Sequence, residues 1–266
     1  MRIYFSKYQA IGNDFLILDL RIKQNINIRD FARRFCNRNF GIGADGVLTL
    51  ERDKTKLVMR IFNSDGSEAE MSGNGIRCLA KYIFDNNIDY IDTPQKKGER
   101  SITLETKAGT RTVVMKDDKL IVDMGKVEHR GEREISIKGK LVKIYEVSSG
   151  NPHSVIFTGS GITLDSISEI GHFISNESNS NVEIVETVSE DRLSVRVWER
   201  GVGETLGCGT GASAVFIIAN KKGYVKDKTT IGFKGGDVEV GYSDKGKGSV
   251  YLSGTAEWVF NGFVDI

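Results

Sequence analysis

Apolar positions along the chain fall into short alternating or continuous runs, interrupted by stretches of helical spacing. Met1 to Tyr8 alternates and reads as a strand, as does Phe15-Leu16-Ile17-Leu18-Asp19-Leu20. Ile28, Phe31, Ala32 and Phe35 recur at helical intervals and predict a helix from Ile28 to Cys36. Val47 to Leu50 and Leu57 to Phe62 return to strand. Ile76, Leu79, Ala80, Ile83 and Phe84 share one helical face, so a second helix is expected up to Asp85, ending near Asn86-Asn87. A meander follows from Ser101 to Met124, its runs Ile102–Thr106, Thr110–Met115 and Leu120–Met124 separated by turns at Lys107–Gly109 and Lys116–Lys119. Ala212, Val215, Phe216 and Ala219 predict another helix to Lys221 with Gly223 as its C-terminal stop, and a closing meander runs from Val225 to Ile266.

One segment occurs twice. The run from Arg60 to Gly75 aligns without gaps on the run from Arg196 to Gly211, so that Ser72 falls on Cys208, an offset of 136. Each copy reads as a strand, a loop and a Gly-x-Gly turn opening a helix. A fainter echo pairs Gly12-Asn13-Asp14-Phe15 with Gly150-Asn151-Pro152-His153. In a chain of 266 residues this offset predicts two similar halves. The boundary is expected near Asp117-Asp118, giving modules 1–118 and 119–255. The expected fold class is α+β: two pseudo-symmetric domains, each a mostly antiparallel sheet or barrel wrapped around a central helix.

Composition narrows the role. Hydrophobic residues make up 39% and charged residues 27%, enough apolar material for a core in each half. A net charge of +1 argues against nucleic-acid or membrane-surface partners, which call for a clustered basic excess. The run Lys96-Lys97-Gly98-Glu99-Arg100 mixes signs and reads as a solvated turn. No segment reads as a signal peptide or membrane span. Cys36, Cys78 and Cys208 are odd in number and widely spaced, which disfavours a disulfide framework or a metal site and suits a reduced cytoplasmic setting. Only two prolines occur, Pro94 and Pro152.

The chemistry is expected at the paired turns. Ser72-Gly73-Asn74-Gly75 and Cys208-Gly209-Thr210-Gly211 each stand where a helix begins, and the glycines let backbone approach a ligand closely. Unpaired N–H groups of a first helical turn form an anion site. Two of them converging on one carboxylate would hold it without a lysine. A cysteine at such a place is expected to have its pKa lowered from about 8.5 into the range of about 3.5–7.5, ready to remove a proton from the carbon next to that carboxylate. Ser72 taken alone reads more readily as a plain N-cap. A dinucleotide loop is disfavoured, because nine residues separate Trp198 from Cys208 and the motif occurs twice.

These residues resemble the diaminopimelate epimerase family along nearly the whole chain. The resemblance rests on Phe5 to Phe15, Gly41-Ile42-Gly43-Ala44-Asp45-Gly46, Phe62 to Ser67, Gly73 to Cys78, Gly150 to His153, Asn181-Val182-Glu183, and Glu199 through Gly211. It implies a cofactor-free isomerase that interconverts LL- and meso-2,6-diaminopimelate, in lysine and cell-wall precursor synthesis, and a homodimer. It also implies an active site in the cleft between the modules, with one cysteine as thiolate base and another as thiol acid on opposite faces of the α-carbon. The last residues, Ala256 to Ile266, would return to the first domain.

Carried over by position, the resemblance makes Cys208 one catalytic residue and places Ser72 where the family has the other cysteine. It implies that Gly73, Asn74, Gly209 and Thr210 bind the reacting carboxylate. Asn13, Asn63, Asn151, Asn181, Glu199 and Arg200 would hold the substrate's other polar groups, while His153 and Glu199 tune the thiols. Arg200 suits a carboxylate because its fork bonds two oxygens; the lesser alternative for Glu199-Arg200 is a plain surface pair.

A serine hydroxyl without a partner base is far less acidic than a thiol, so Ser72 should spare binding and slow inversion. Three accounts stay open. They are an exchange made to trap substrate, a natural epimerase in which Glu70 or a water assists Ser72, and a relative with other chemistry. The last includes a racemase or one-base dehydratase for another amino acid, and an inactive amino-acid-binding paralogue. Cys78, six residues beyond Ser72, lies too far along the helix to substitute and should pack in the core.

Overall fold

The computed structural model describes residues 1–21, 26–88, 98–137, 139–159, 161–243 and 249–266. Pro94, Lys96 and Lys97 lie outside the described residues. The chain divides into two units, Met1–Val122 with Gly254–Ile266, and Asp123–Ser253.

The first unit is built from β1 (Arg2–Ala10), β2 (Asn13–Asp19), α1 (Ile28–Phe35), β3 (Gly46–Asp53), β4 (Lys56–Asn63), β5 (Glu68–Ala69), α2 (Gly73–Asp85), β6 (Arg100–Thr106), β7 (Gly109–Lys116) and β8 (Lys119–Lys126). β8 runs across the division at Val122. Asp117 and Asp118, both at positive φ (49° and 60°), form the tight turn between β7 and β8. The second unit contains β9 (Glu128–Ile137), β10 (Lys140–Ser148), β11 (Pro152–Phe157), α3 (His172–Ser178), β12 (Asn181–Ser189), β13 (Arg192–Glu199), β14 (Gly203–Thr205), α4 (Gly209–Lys221), β15 (Lys228–Phe233), β16 (Gly236–Tyr242) and β17 (Ser249–Gly254). The last strand, β18 (Glu257–Asp265), pairs antiparallel with β1 and belongs to the first unit.

Both units follow one plan. In the first, β1–β2, β3–β4 and β6–β7 pair antiparallel, while β2–β3 and β4–β6 pair parallel. In the second, β10–β11, β12–β13 and β15–β16 pair antiparallel, while β11–β12 and β13–β15 pair parallel. Parallel neighbours need a crossover, and helices supply it: α1 and α3 join the first parallel pair of each unit, α2 and α4 the second. The α+β class is as the sequence predicts.

Helices cover both faces of the sheet. α1 packs Phe31, Ala32 and Phe35 against Leu16, Leu18, Val47 and Phe62, and Ile167, Ile170 and Ile174 do the same against Ile144, Ile156, Val182 and Ile184. That two-sided cover is why Phe15 to Leu18 is a continuous apolar run rather than an alternating one. α4 is apolar all round and buried from Gly209 to Ala219, as a helix inside a core must be. It ends in a Schellman turn: Gly223 N–H donates to Asn220 O and Tyr224 N–H to Ala219 O, each at 2.9 Å, with Gly223 at φ 75°. α2 ends the same way, with Asn87 at φ 46° taking the glycine's place.

The segment from Gly161 to Gly171 carries no periodicity that marks an element in the sequence. It forms a short 3-10 turn, Leu164–Ser166, and a π turn, Ile167–Gly171, leading into α3, and such turns leave no regular apolar period to read.

Candidate active site

Ser72 and Cys208 hold the same place in the two units. Ser72 is the N-cap of α2, with extended backbone, and its Oγ accepts the Gly75 N–H at 3.0 Å. Cys208 is the N-cap of α4, and its Sγ accepts the Gly211 N–H at 3.4 Å. The first intrahelical bonds start at Ile76 and Ala212, which reach the Ser72 and Cys208 carbonyls. The N–H groups of Gly73, Gly209 and Thr210 therefore have no acceptor inside their helices, the condition for an anion site, and Asn74 stands beside them in the first turn of α2. All four residues are buried.

The repeat also duplicates what fastens these turns. Arg60 Nε lies 2.9 Å from Glu68 Oε1 between β4 and β5, and Arg196 Nε lies 2.6 Å from Glu204 Oε1 between β13 and β14. Each pair ties the strand before the loop to the segment entering the helix.

In the first unit Asn74 Nδ2 donates to Asn13 Oδ1 at 3.3 Å, and Asn13 Nδ2 donates to Asp45 Oδ2 at 2.6 Å. Arg77 Nη2 donates to Asn74 Oδ1 at 2.6 Å. The Arg77 guanidinium is fully buried, and burial pushes its pKa down to about 10. Asp14, next to Asn13, is bonded by Arg38 (2.7 Å) and Lys7 (2.8 Å). Burial works to raise its pKa, but those two cations outweigh it and hold the carboxyl below its usual range. Asn63 is exposed at the start of a turn, where its Nδ2 donates to Ser67 Oγ at 3.0 Å.

In the second unit His153 Nδ1 lies 2.7 Å from Glu183 Oε1, and its Nε2 lies 3.0 Å from Asn151 Oδ1. Asn181 Oδ1 accepts the Arg200 N–H at 2.9 Å, while the exposed Arg200 side chain donates through Nη1 to Asn179 O at 3.0 Å. Glu199 Oε1 accepts from Thr205 Oγ1 at 2.6 Å. Cys208 Sγ lies 3.3 Å from Thr210 Oγ1, and the Thr210 carbonyl accepts from Ser149 Oγ at 3.0 Å.

One expectation is overturned. The Cys208 thiol is pushed up from its ordinary pKa, not down: burial is the largest cause, followed by the negative charges of Glu199 and Glu183. The Thr210 hydroxyl and the Gly211 N–H act in the lowering direction but are outweighed. A helix N-terminus lowers a thiol pKa only while the sulfur keeps enough solvent or counter-charge, and Cys208 is 7% exposed. Burial and the two carboxylates thus favour the protonated thiol at Cys208. Cys36 and Cys78 are also buried and free, both pushed up to about 12 by burial.

Three residues at these turns were not singled out from their spacing. Asp45 and Arg77 are hydrogen-bonded to Asn13 and Asn74, and Glu183 to His153. The available signal was a charge inside an apolar run: Arg77 within α2, and Glu183 between Val182 and Ile184 in β12.

Residues 5–130 and 145–259 match the family model described as diaminopimelate epimerase. The diaminopimelate epimerase of Prochlorococcus marinus is 36% identical over 298 residues, covering 100% of both chains. That of Methanococcus maripaludis is 36% identical over 285 residues, covering 98% of this chain and 99% of the relative. Among solved structures, a probable proline racemase from Agrobacterium radiobacter superposes with a TM-score of 0.80 at 16% identity, covering 99% of this chain and 93% of that one. A hydroxyproline epimerase from Agrobacterium vitis superposes with a TM-score of 0.78 at 15% identity, covering 99% and 92%. Both structures share the fold.

Proposed function

This chain belongs to the diaminopimelate epimerase family and is an isomerase of the epimerase type, and from that premise we propose that it inverts one α-carbon of 2,6-diaminopimelate, interconverting the LL and meso forms. The reading is supported above all by the equivalent N-cap positions of Ser72 and Cys208 at duplicated helix starts. The reacting carboxylate is held by the first-turn N–H groups of residues 73–74 and 209–210, which stabilise the negative charge that grows on it as the α-proton leaves. Position 72 removes or returns the proton on one face and Cys208 serves the other.

Asn13, Asn63, Asn151, Asn181, Glu199 and Arg200 bind the remaining polar groups. Arg200 takes the distal carboxylate through N–H groups not committed to Asn179. His153 and Glu199 adjust the proton affinities of the proton carriers. The reaction needs no pyridoxal, because the charge is met by helix ends rather than by a conjugated ring. The enzyme works in the cytoplasm, supplying lysine and cell-wall precursor synthesis.

With Ser72 in place the base on one face is weak. A general-base contribution is worth about 10²–10⁴ in rate, so inversion is slow while binding persists. The test is incubation with LL-diaminopimelate in deuterated water, following α-proton exchange and stereochemistry. Exchange that appears on restoring a thiol at position 72 supports the reading. Binding of another amino acid with no exchange of diaminopimelate in either form overturns the substrate.

A homodimer belongs to the same proposal. Tyr4, Trp258 and Phe263 on β1 and β18 are 61%, 54% and 51% exposed, with the Tyr4 and Phe263 rings 6.0 Å apart. This strip is the surface we assign to the second copy.

A further inference from the structure

The two units differ most at the residues packed against the duplicated turns. Phe15 pairs with Gly46 between β2 and β3, and His153 pairs with Asn181 between β11 and β12. Two residues further on stand Leu48 and Glu183. The equivalence is physical: a Cβ added at Gly75 would meet Leu48 Cδ2 at 3.2 Å, and one added at Gly211 would meet Glu183 Oε1 at 2.4 Å. An apolar Phe–Leu pair in the first unit is thus replaced by a His–Glu pair in the second.

Glu183 and His153 side chains are both 0% exposed. Glu183 Oε1 lies 2.7 Å from His153 Nδ1, and Glu183 Oε2 has no hydrogen-bond partner among the described residues. A half-satisfied buried carboxylate is a poor way to stabilise a core, since removal from water costs several kcal/mol. Leu48 shows that the same place accepts an apolar side chain. The charge at 183 is therefore present for something other than packing.

We propose that Glu183 is a positioning residue of the reaction: it locks His153 through Nδ1 and sets a fixed negative charge against the Cys208 turn, making the second unit the proton-donating side. The proposal rests on the epimerase reading and adds a residue to it. With Nδ1–H committed to Glu183, the ring has one orientation and its Nε2 faces Asn151. The groups facing Cys208 are Glu199 from β13, Glu183 from β12 with His153 of β11 bonded to it, and the Thr210 hydroxyl and Gly211 N–H from α4. Both carboxylates disfavour a thiolate, so Cys208 carries its proton until a carbanion forms. The proton then moves from Sγ to carbon, and the thiolate left behind regains a proton in the reverse step or from solvent.

The experiment uses the full chain and Glu183→Gln, which keeps the shape and removes the charge. Alkylation of Cys208 by iodoacetamide is followed across the thiol pH range by peptide mass spectrometry, without substrate. Removing a neighbouring negative charge lowers the thiol pKa, so the alkylation midpoint should fall by about one pH unit. Purely structural wedging would leave the midpoint where it was, and an unmoved midpoint overturns the proposal. In a Ser72→Cys background, Glu183→Gln should lower kcat for α-proton exchange about tenfold or more with KM little changed; unchanged kcat also overturns it. If Glu183→Gln does not fold, Glu183→Asp keeps the charge but withdraws it from His153. That variant should hold the midpoint and lose kcat, and a variant that keeps kcat counts against the assignment. A shifted midpoint with no exchange of diaminopimelate even in the Ser72→Cys chain leaves the Glu183–Cys208 coupling standing and defeats the substrate reading instead.

Discussion

The Cys208 sulfur accepts the Gly211 N–H at 3.4 Å, in the way the Ser72 hydroxyl accepts that of Gly75 at 3.0 Å. A side chain used as an N-cap has its rotamer and direction set by the helix it starts, so a proton carrier there is held in place by backbone geometry. The duplicated segment thereby presents two side chains in matching attitudes while leaving their chemistry free to differ.

Replacing Ser72 by cysteine should raise the rate of diaminopimelate inversion by about 10²–10⁴. The same exchange removes a favoured N-cap and should lower stability by about 0.5–1 kcal/mol. Chiral analysis of the product and urea unfolding of the two proteins check both parts. An unchanged rate would mean that position 72 does not carry a proton.

Gly211 and Gly75 should respond differently to alanine. In a helix, Gly→Ala ordinarily stabilises by about 1 kcal/mol. At Gly211 the new methyl would stand 2.4 Å from a carboxylate oxygen already bonded to His153, which cannot yield freely. Gly211→Ala should therefore destabilise by about 1–3 kcal/mol. Gly75→Ala meets the Leu48 methyl and the Ser72 Cβ, both at 3.2 Å, a milder crowding that shifts of a few tenths of an ångström relieve. Denaturant midpoints of the two variants should fall in that order.

Acid should weaken the first unit through Asp14. Its pKa is held down by Arg38 and Lys7 in the folded chain, so the unfolded chain binds its proton first as pH falls. The stabilisation is fully present above the unfolded value of about 3.9 and is lost as pH drops through the lower folded value. Asp14→Asn should cost about 1–3 kcal/mol near neutrality and flatten the dependence of stability on pH in that acid window. Unfolding curves of the two proteins between neutral and acid pH measure it.

Phe263→Glu on the exposed strip of β18 should convert a dimer to single chains and make the melting temperature independent of protein concentration, whereas that of the parent rises with concentration. Light scattering of the parent and variant decides it. A parent chain that already runs as a single copy removes the assignment of this face.

Much of the local structure was legible. Ile28, Phe31, Ala32 and Phe35 marked α1, and the Asn86-Asn87 and Gly223 stops marked the ends of α2 and α4, because helix periods and caps depend on neighbours a few residues apart. The strands Phe15–Leu20 and Leu57–Phe62 were plain for the same reason. The π turn before α3 leaves no such mark, since an irregular turn repeats nothing.

By itself the sequence determined the duplication, the kind of element over most of the first half and around α4, and the equivalence of Ser72 with Cys208. These are matters of order and spacing. Only the tertiary structure decided that burial and two carboxylates push the Cys208 thiol upward and that Glu183 and His153, thirty residues apart, form one buried pair. Proton affinity depends on solvent exclusion and on charges within a few ångströms, and those distances exist only once remote strands have been brought side by side.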